Sequence, residues 1–104
     1  MSLKYEAVFF IKDEDENIVK RTIKKIKKIV KEEKCNILKT EDFGTKKLAY
    51  KIKKQETARY FYMIFSSNDN NRNTKGKIDI QFNTVEEILK HIVLQYDDEL
   101  EDYK

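Results

Sequence analysis

The chain has 104 residues, of which 39% are hydrophobic and 39% are charged, with 22 Lys and Arg against 19 Asp and Glu. This length and composition are typical of one small globular domain, whose core the 6 Tyr and 6 Phe can fill. Because the chain holds 1 Cys, 1 His and 2 Gly, too few for a Cys/His metal centre or a glycine-rich phosphate loop, we expect no metal, no cofactor and no enzymatic activity.

The first two predicted elements are a strand and a long helix. Residues 4–11, KYEAVFFI, are aromatic and β-branched and form a run too short for a typical helix. The acidic cluster that follows supplies an N-cap and favourable first-turn charge, and apolar residues then recur at spacings of four, three and four from Val19 to Val30. The pattern predicts an amphipathic helix from about Glu14 to Lys34, with its lysines on the opposite face.

A β-hairpin is predicted next. The second strand begins near Cys35 and continues to Ile52, with a bulge or bend at Gly44. After the polar turn KKQET, residues 58–65, ARYFYMIF, form the most strongly β-prone run in the chain. These two strands are expected to pair in the antiparallel sense.

The last elements are a short helix and a strand. Residues 66–77 are polar and predict a loop that leads into a helix anchored by Ile78 and Phe82. Residues 88–96, ILKHIVLQY, predict the final strand, and the acidic residues 97–104 predict a flexible tail. The domain is therefore expected to span residues 1–96.

The order β-α-β-β-α-β favours an α+β ferredoxin-like fold, a four-stranded antiparallel sheet with two helices on one face. The predicted strands are apolar on both faces, so the helices can cover only one of them and the other would expose large side chains. We expect a protein partner to cover that open face; the less favoured alternative is that loops or self-association hide it. The side chains assigned to it are Val8, Phe10, Phe61, Met63 and Phe65.

The net charge of +3 conceals an uneven distribution, because the last eight residues carry −4 and the remainder carries +7. Two segments are rich in Lys and Arg, residues 18–34 and residues 46–59. A basic body of this kind favours nucleic-acid phosphates as its partner. A lysine-rich helix face that simply contacts water is an equally ordinary explanation for the first segment.

Four segments of the chain resemble, in order and spacing, the S6 family of small-subunit ribosomal proteins. They are KYEAVFFI, ILKTEDFGTKKLAYKIKK, RYFYMIF and EEILKHIV. The similarity covers residues 4–96, and its most specific part is the run from Glu41 to Lys54. It implies a ferredoxin-like fold and a structural role in the ribosome. It also implies that the chain pairs with ribosomal protein S18 and that the two bind the central domain of small-subunit ribosomal RNA.

The resemblance also implies which residues contact RNA. Basic residues of the family pattern match Lys4, Lys46, Lys47, Lys90 and His91, and the turn adds Lys53 and Lys54. The first helix is more basic than the family requires. Additional RNA contacts and a Lys-rich source proteome explain this excess of lysine equally well.

No stretch is long and apolar enough to span a membrane, and no secretory signal is visible. We therefore expect the protein to act in a cytoplasmic ribosome or an organellar one.

Two other functions compete with this interpretation. A single-stranded RNA-binding module of the RNA-recognition-motif type has the same element order, and its third-strand aromatics stack on bases. That motif, however, requires small residues where Arg59 and Phe61 stand. An enzyme using His91 beside Glu86 and Glu87 as an acid–base group has weaker support, because charged residues are expected in that turn in any case.

Overall fold

Six elements follow one another in the predicted order β-α-β-β-α-β. The computed structural model describes residues 3–67 and 74–96, so the predicted acidic tail lies outside the described residues. The elements are β1 (Leu3–Ile11), α1 (Glu16–Glu32), β2 (Cys35–Ile52), β3 (Gln55–Ser67), α2 (Thr74–Asn83) and β4 (Ile88–Tyr96).

The four strands form one antiparallel sheet in the order β2-β3-β1-β4, which confirms the ferredoxin-like fold. β1 is central and pairs with β3 on one side and with β4 on the other. Both helices cover the same face of this sheet, because the buried residues of α1 and α2 join one core cluster with β1. β2 and β4 are therefore the two edge strands.

α1 is two residues shorter at each end than its sequence pattern predicts, because the capping residues at its ends leave the helical conformation. Asp15 is extended, with φ of −146°, and its carboxylate accepts a hydrogen bond from the backbone N–H of Asn17 at 2.9 Å. At the other end Lys34 adopts a left-handed φ of 60°, which ends the helix.

The core lies between the helices and alternate residues of β1 and β3. Tyr5 and Phe9 are fully buried, and Phe9 meets Phe82 of α2 edge to face with ring centroids 4.8 Å apart. Tyr5 stacks on Phe65 at 5.2 Å. The inward residues of β1 are therefore the odd-numbered ones, from Tyr5 to Ile11.

The assignment of Phe61, Met63 and Phe65 to the open face is wrong, because all three are buried beneath the helices. Residues directly opposite each other in an antiparallel pair share one face, and these three pair with Phe9, Ala7 and Tyr5. Val8 and Phe10 lie on the open face as predicted. Their neighbours there on β3 are Tyr62 and Tyr60, with Ile64 beyond them.

The structure also corrects the ends of two other elements. The polar turn is confined to Lys53 and Lys54, because β3 begins at Gln55 rather than at Ala58. β3 continues to Ser67, and α2 begins at Thr74, so both extend into the segment expected to be a loop.

The buried hydroxyl of Tyr5 generates a stability prediction. Its oxygen has no hydrogen-bond partner among the residues that the structure describes, and burial raises the pKa of the group. Tyr5→Phe removes this unsatisfied atom and keeps the ring, so we expect the free energy of unfolding to rise by about 1 kcal/mol in a urea titration. The matched control is Tyr62→Phe, whose hydroxyl donates to Glu6 at 2.7 Å, and this variant should lose about 1 kcal/mol. Equal losses in both variants would contradict the prediction.

Candidate nucleic-acid interface

The β2–β3 hairpin extends beyond the rest of the sheet and ends in two lysines. β1 pairs with β3 only from Arg59 to Ser67, so Gln55 and its neighbours project past it. At the turn, Lys53 and Lys54 have φ values of 48° and 68° and are exposed. Two successive residues with positive φ are typical of a type I′ turn, which strongly favours Asn-Gly. A lysine in this conformation costs about 1 kcal/mol.

The end of this hairpin covers part of the open face. Leu48, Ala58 and Leu89 are buried there in a second apolar cluster, separate from the main core. Tyr50 of β2 reaches as far as β4, where its hydroxyl lies 3.2 Å from Nζ of Lys90 and its ring centroid 5.9 Å from the same atom. The hairpin therefore bridges the sheet from one edge strand to the other.

Five of the predicted RNA-contact lysines lie at this end of the sheet, and we call them the hairpin-tip lysines: Lys46, Lys47, Lys53, Lys54 and Lys90. All five are exposed. Lys4 is at the opposite end of β1. Lys90 pairs with Phe10 of β1, and Lys4 lies six residues, or about 20 Å, along the strand from Phe10. The structure thus does not bring Lys4 into the same group.

His91, predicted with Lys90 as a basic pair that contacts RNA, does not lie among these lysines either. Its ring packs against Phe9 and Phe82 under α2, and Nε2 lies 3.1 Å from Oδ1 of Asp79. The side chain is 12% exposed. Neighbouring residues of a strand point to opposite faces, so Lys90 and His91 could not both lie on the open face.

The centre of the open face is an apolar surface that the sequence prediction identified only in part. Val8 lies in the middle, flanked by Tyr62 and Ile64 of β3. On β4, Ile92 pairs directly with Val8 and is 41% exposed, and Leu94 is 59% exposed. Phe43 of β2, also exposed, contacts Tyr62 with ring centroids 5.9 Å apart. The alternation of β4 was the signal that could have identified Ile92 and Leu94, because they share a face with Lys90.

On the helix side, Arg59 joins three separate segments of the chain. Its guanidinium donates to both carboxylate oxygens of Asp42, at 3.0 and 3.1 Å, and to both of Glu16, at 2.8 and 3.0 Å. Asp13 lies 3.6 Å away and also accepts a hydrogen bond from Thr45. These bonds tie the start of α1 to the middle of the hairpin.

The Arg59 ion pairs shift the pKa values of the carboxyl groups involved. Hydrogen bonds from Arg59 hold the pKa of Glu16 and that of Asp42 below their ordinary values, and the backbone N–H of Gly44 adds to the effect at Asp42. The pKa of Arg59 is raised by the same two carboxylates. The cluster is therefore fully charged at neutral pH.

The comparison with known proteins decides the family. The model of the family described as ribosomal protein S6 matches residues 4–95. The chain belongs to the ribosomal protein S6 family. Among S6 relatives, small ribosomal subunit protein bS6 of Aquifex aeolicus is 32% identical over 92 residues, covering 88% of this chain and 82% of that protein. The bS6 protein of Azobacteroides pseudotrichonymphae is 33% identical over 93 residues, covering 88% and 80%.

A solved S6 structure agrees with this assignment. The crystal structure of 30S ribosomal protein S6 from Thermotoga maritima has a TM-score of 0.85 and 25% identity, covering 99% of this chain and 95% of that one. Another relative is a chloroplastic protein of Arabidopsis thaliana, Regulator of Fatty Acid Composition 3, which is 32% identical over 95 residues. Those residues are 90% of this chain, which spans 29% of that protein.

Two further observations concern the described residues alone. Neither α1 nor α2 is long and apolar enough to cross a membrane. Within residues 3–67 and 74–96, no three His, Cys, Asp or Glu side chains are grouped so that they could hold a metal ion.

The Arg59 cluster predicts how stability depends on pH. Because the folded-state pKa values of Glu16 and Asp42 are lowered, their stabilisation is complete above the ordinary glutamate value of 4.5 and is lost as the pH falls through the folded values. Replacing Arg59 by Met should lower the free energy of unfolding by about 1 kcal/mol at pH 7 and flatten this acid dependence. Urea titrations from pH 7 to acid would measure both effects, and an unchanged slope in Arg59→Met would contradict the assignment.

Proposed function

We propose that this protein binds the central domain of small-subunit ribosomal RNA together with ribosomal protein S18. Its S6 family is one of structural proteins of the small ribosomal subunit. Two separate surfaces at neighbouring parts of the sheet support the finer proposal. The hairpin-tip lysines are the RNA contact, and the apolar open face is the contact for S18.

The hairpin-tip lysines suit a phosphate backbone. They are exposed on β2, at the turn and on β4, and exposed lysines of this kind position a protein on a nucleic acid without reading bases. The narrow major groove of A-form RNA excludes side chains, so contacts to phosphates and 2′-hydroxyls dominate where the RNA is helical. A projecting hairpin can reach such phosphates while the rest of the sheet stays clear of the duplex.

The observation that carries the RNA proposal is the backbone conformation of Lys53 and Lys54. Both have positive φ at a turn where Asn-Gly would be more stable. Residues retained in unfavourable conformations are concentrated at functional sites, where another property of the side chain offsets the strain. Here that property is positive charge at the most projecting point of the hairpin.

The open face suits a protein partner better than it suits water. Ile92, Leu94 and Phe43 are exposed around Val8, and they form a continuous apolar surface rather than scattered single residues. Charge is limited at its centre, where Glu6 accepts a hydrogen bond from Tyr62. A partner that covers this face would bury these side chains next to the hairpin tip, so protein and RNA would bind side by side.

The contacts among the open-face aromatics disfavour the base-stacking alternative. Phe10 and Tyr60 already stack on each other, with ring centroids 4.5 Å apart, beneath the hairpin. Tyr62 is held by Glu6 and Phe43. Stacking a base on these rings would require existing contacts to break, whereas RNA-recognition modules present free rings.

The RNA contact is tested by Lys53→Asn combined with Lys54→Gly, a turn sequence that suits the backbone and removes both charges. We expect the free energy of unfolding to rise by about 1 kcal/mol while affinity for a central-domain RNA fragment, measured with S18 present, falls. The slope of log affinity against log salt should decrease by about 1.5, since each lost phosphate contact removes 0.7 to 0.9.

The matched control for this experiment is Lys28→Gln with Lys77→Gln, which removes the same charge from α1 and α2, away from the tip and from the open face. Its affinity should stay near that of the unchanged protein. Equal weakening by both double variants would show a general charge effect and contradict the site. If the unchanged protein without S18 binds unrelated single-stranded oligonucleotides as tightly as the fragment, the base-stacking alternative replaces the proposal.

The partner contact is tested by Leu94→Glu, which places a charge in the apolar open face. We expect at least a tenfold loss of affinity for S18, about 1.4 kcal/mol, with circular dichroism and urea stability unchanged. Ile80→Glu is the control, because Ile80 is 68% exposed but lies on α2, on the other side of the sheet. Full S18 binding by Leu94→Glu would show that this face is not the interface.

A further inference from the structure

The two flanks of α1 differ in how their positive charges are balanced. On the flank towards the turn between α2 and β4, Nζ of Lys25 lies 3.5 Å from Glu87. Arg21 and Lys25 line a cavity of about 210 Å³ together with Glu14, Glu86 and Glu87. We call this side the compensated flank, because acidic side chains face its basic ones.

The opposite flank, towards β2, is less balanced, since the acidic side chains beside it, Glu16 and Glu32, already pair with Arg59 and Lys28. Lysines recur along it at spacings of four, three and four, which place them on one side of a helix. We call these four the lysine flank: Lys20, Lys24, Lys27 and Lys31. In the part of the chain that the structure describes, Lys24, Lys27 and Lys31 make no ion pair within 4.0 Å. Lys20 lies near Glu16 and helps to lower the pKa of that carboxyl group.

A groove runs between the lysine flank and the edge of β2. It has a volume of about 610 Å³ and is lined by Lys27, Lys31, Lys34, Cys35, Asn36, Ile37 and Thr40. β2 is an edge strand, so its outer edge borders the groove. The backbone N–H and C=O groups on that edge pair with no other described strand. Exposed Asn36 and Thr40 add side-chain hydrogen-bond donors.

Lys34 continues the row just beyond the helix, at a position where lysine is unfavourable. Its φ of 60° is the left-handed conformation that follows many helices and that glycine adopts most readily. Within residues 3–67 and 74–96, the non-glycine residues with positive φ are Lys34, Lys53 and Lys54. The groove and the hairpin tip therefore each contain lysine in a backbone conformation that is unfavourable for it.

We propose that this groove is a second RNA-binding surface, which takes a phosphate backbone along α1. The inference rests on the RNA-binding function proposed above and adds a contact on the other layer of the fold. Lys20 to Lys31 span about 17 Å of helix, long enough to follow several successive phosphates of one strand. Glu41 and Asp42 on β2 separate this row from the hairpin-tip lysines, so the two are distinct surfaces.

The lining favours RNA over an acidic protein. Protein partners are held mainly by aromatic and apolar anchors in fully desolvated pockets. The exposed lining of the groove consists instead of Lys, Asn and Thr, while Cys35 is buried and Ile37 is half-buried against the core. Such donors bind phosphate oxygens without reading sequence.

The test compares two triple variants of the full chain in complex with S18. Lys24→Gln, Lys27→Gln and Lys31→Gln neutralise the lysine flank, and the control Arg21→Gln, Lys25→Gln and Lys28→Gln removes equal charge from the rest of α1. The probes are the central-domain RNA fragment and an unrelated RNA duplex. We expect the lysine-flank triple to bind both at least tenfold more weakly at low salt, with the salt slope lower by about 2 to 3. The control should stay within about twofold.

Equal losses of RNA affinity in the two triple variants would contradict the proposed groove site, because they would reflect net charge alone. The proposal would also be contradicted if polyglutamate bound the unchanged complex as tightly as RNA does at the same salt concentration. If Lys53→Asn with Lys54→Gly weakens binding and the lysine-flank triple does not, the proposed function stands and the second surface fails. If the lysine-flank triple weakens binding and the hairpin-tip variant does not, the second surface stands and the hairpin-tip contact fails.

Lys34→Gly separates a binding role from a structural one. Glycine relieves the left-handed backbone, so the melting temperature should rise, while RNA affinity should fall as one phosphate contact is lost. A higher melting temperature with unchanged affinity would remove Lys34 from the surface.

Discussion

The antiparallel register between β1 and β3 is the constraint on which the rest of the structure depends. It places Tyr5 against Phe65 and Phe9 opposite Phe61, which builds the core beneath the helices. The same register sets Val8 beside Tyr62 on the other face, because side chains alternate along both strands. A slip of one residue would exchange the two faces, so the core and the apolar open face are determined together.

The sequence predicted those elements whose pattern has one interpretation. The limits of β4 agree with the prediction, and α1 differs only where Asp15 and Lys34 leave the helical conformation. β3 has aromatic or aliphatic side chains on both faces, so alternation alone could not tell which set is buried, and only the pairing with β1 decides it. The turn at Lys53 was predicted, but its conformation was not, because a lysine pair gives no signal for positive φ, unlike Asn-Gly.

Charge in this protein is placed at the expense of local backbone preference. Lys34, Lys53 and Lys54 occupy conformations in which glycine or asparagine would be more stable. Natural proteins depart from their stability optimum most often where function requires it. Arg59 shows the opposite arrangement, since its charge is fully paired and serves to join α1 to the hairpin. Positive charge therefore has two separate uses in one small fold, one internal and one directed outward.

The contact between Tyr50 and Lys90 gives one end of the sheet an unusual mechanical property. It joins the two outermost strands across the open face, over the small cluster that contains Leu48 and Leu89. Edge strands normally fray independently, since each is held along one side only. Here the hairpin tip and the start of β4 cannot separate from the sheet one at a time without breaking this bridge. Opening at either edge therefore breaks this contact and exposes the cluster beneath it, which couples the two edges.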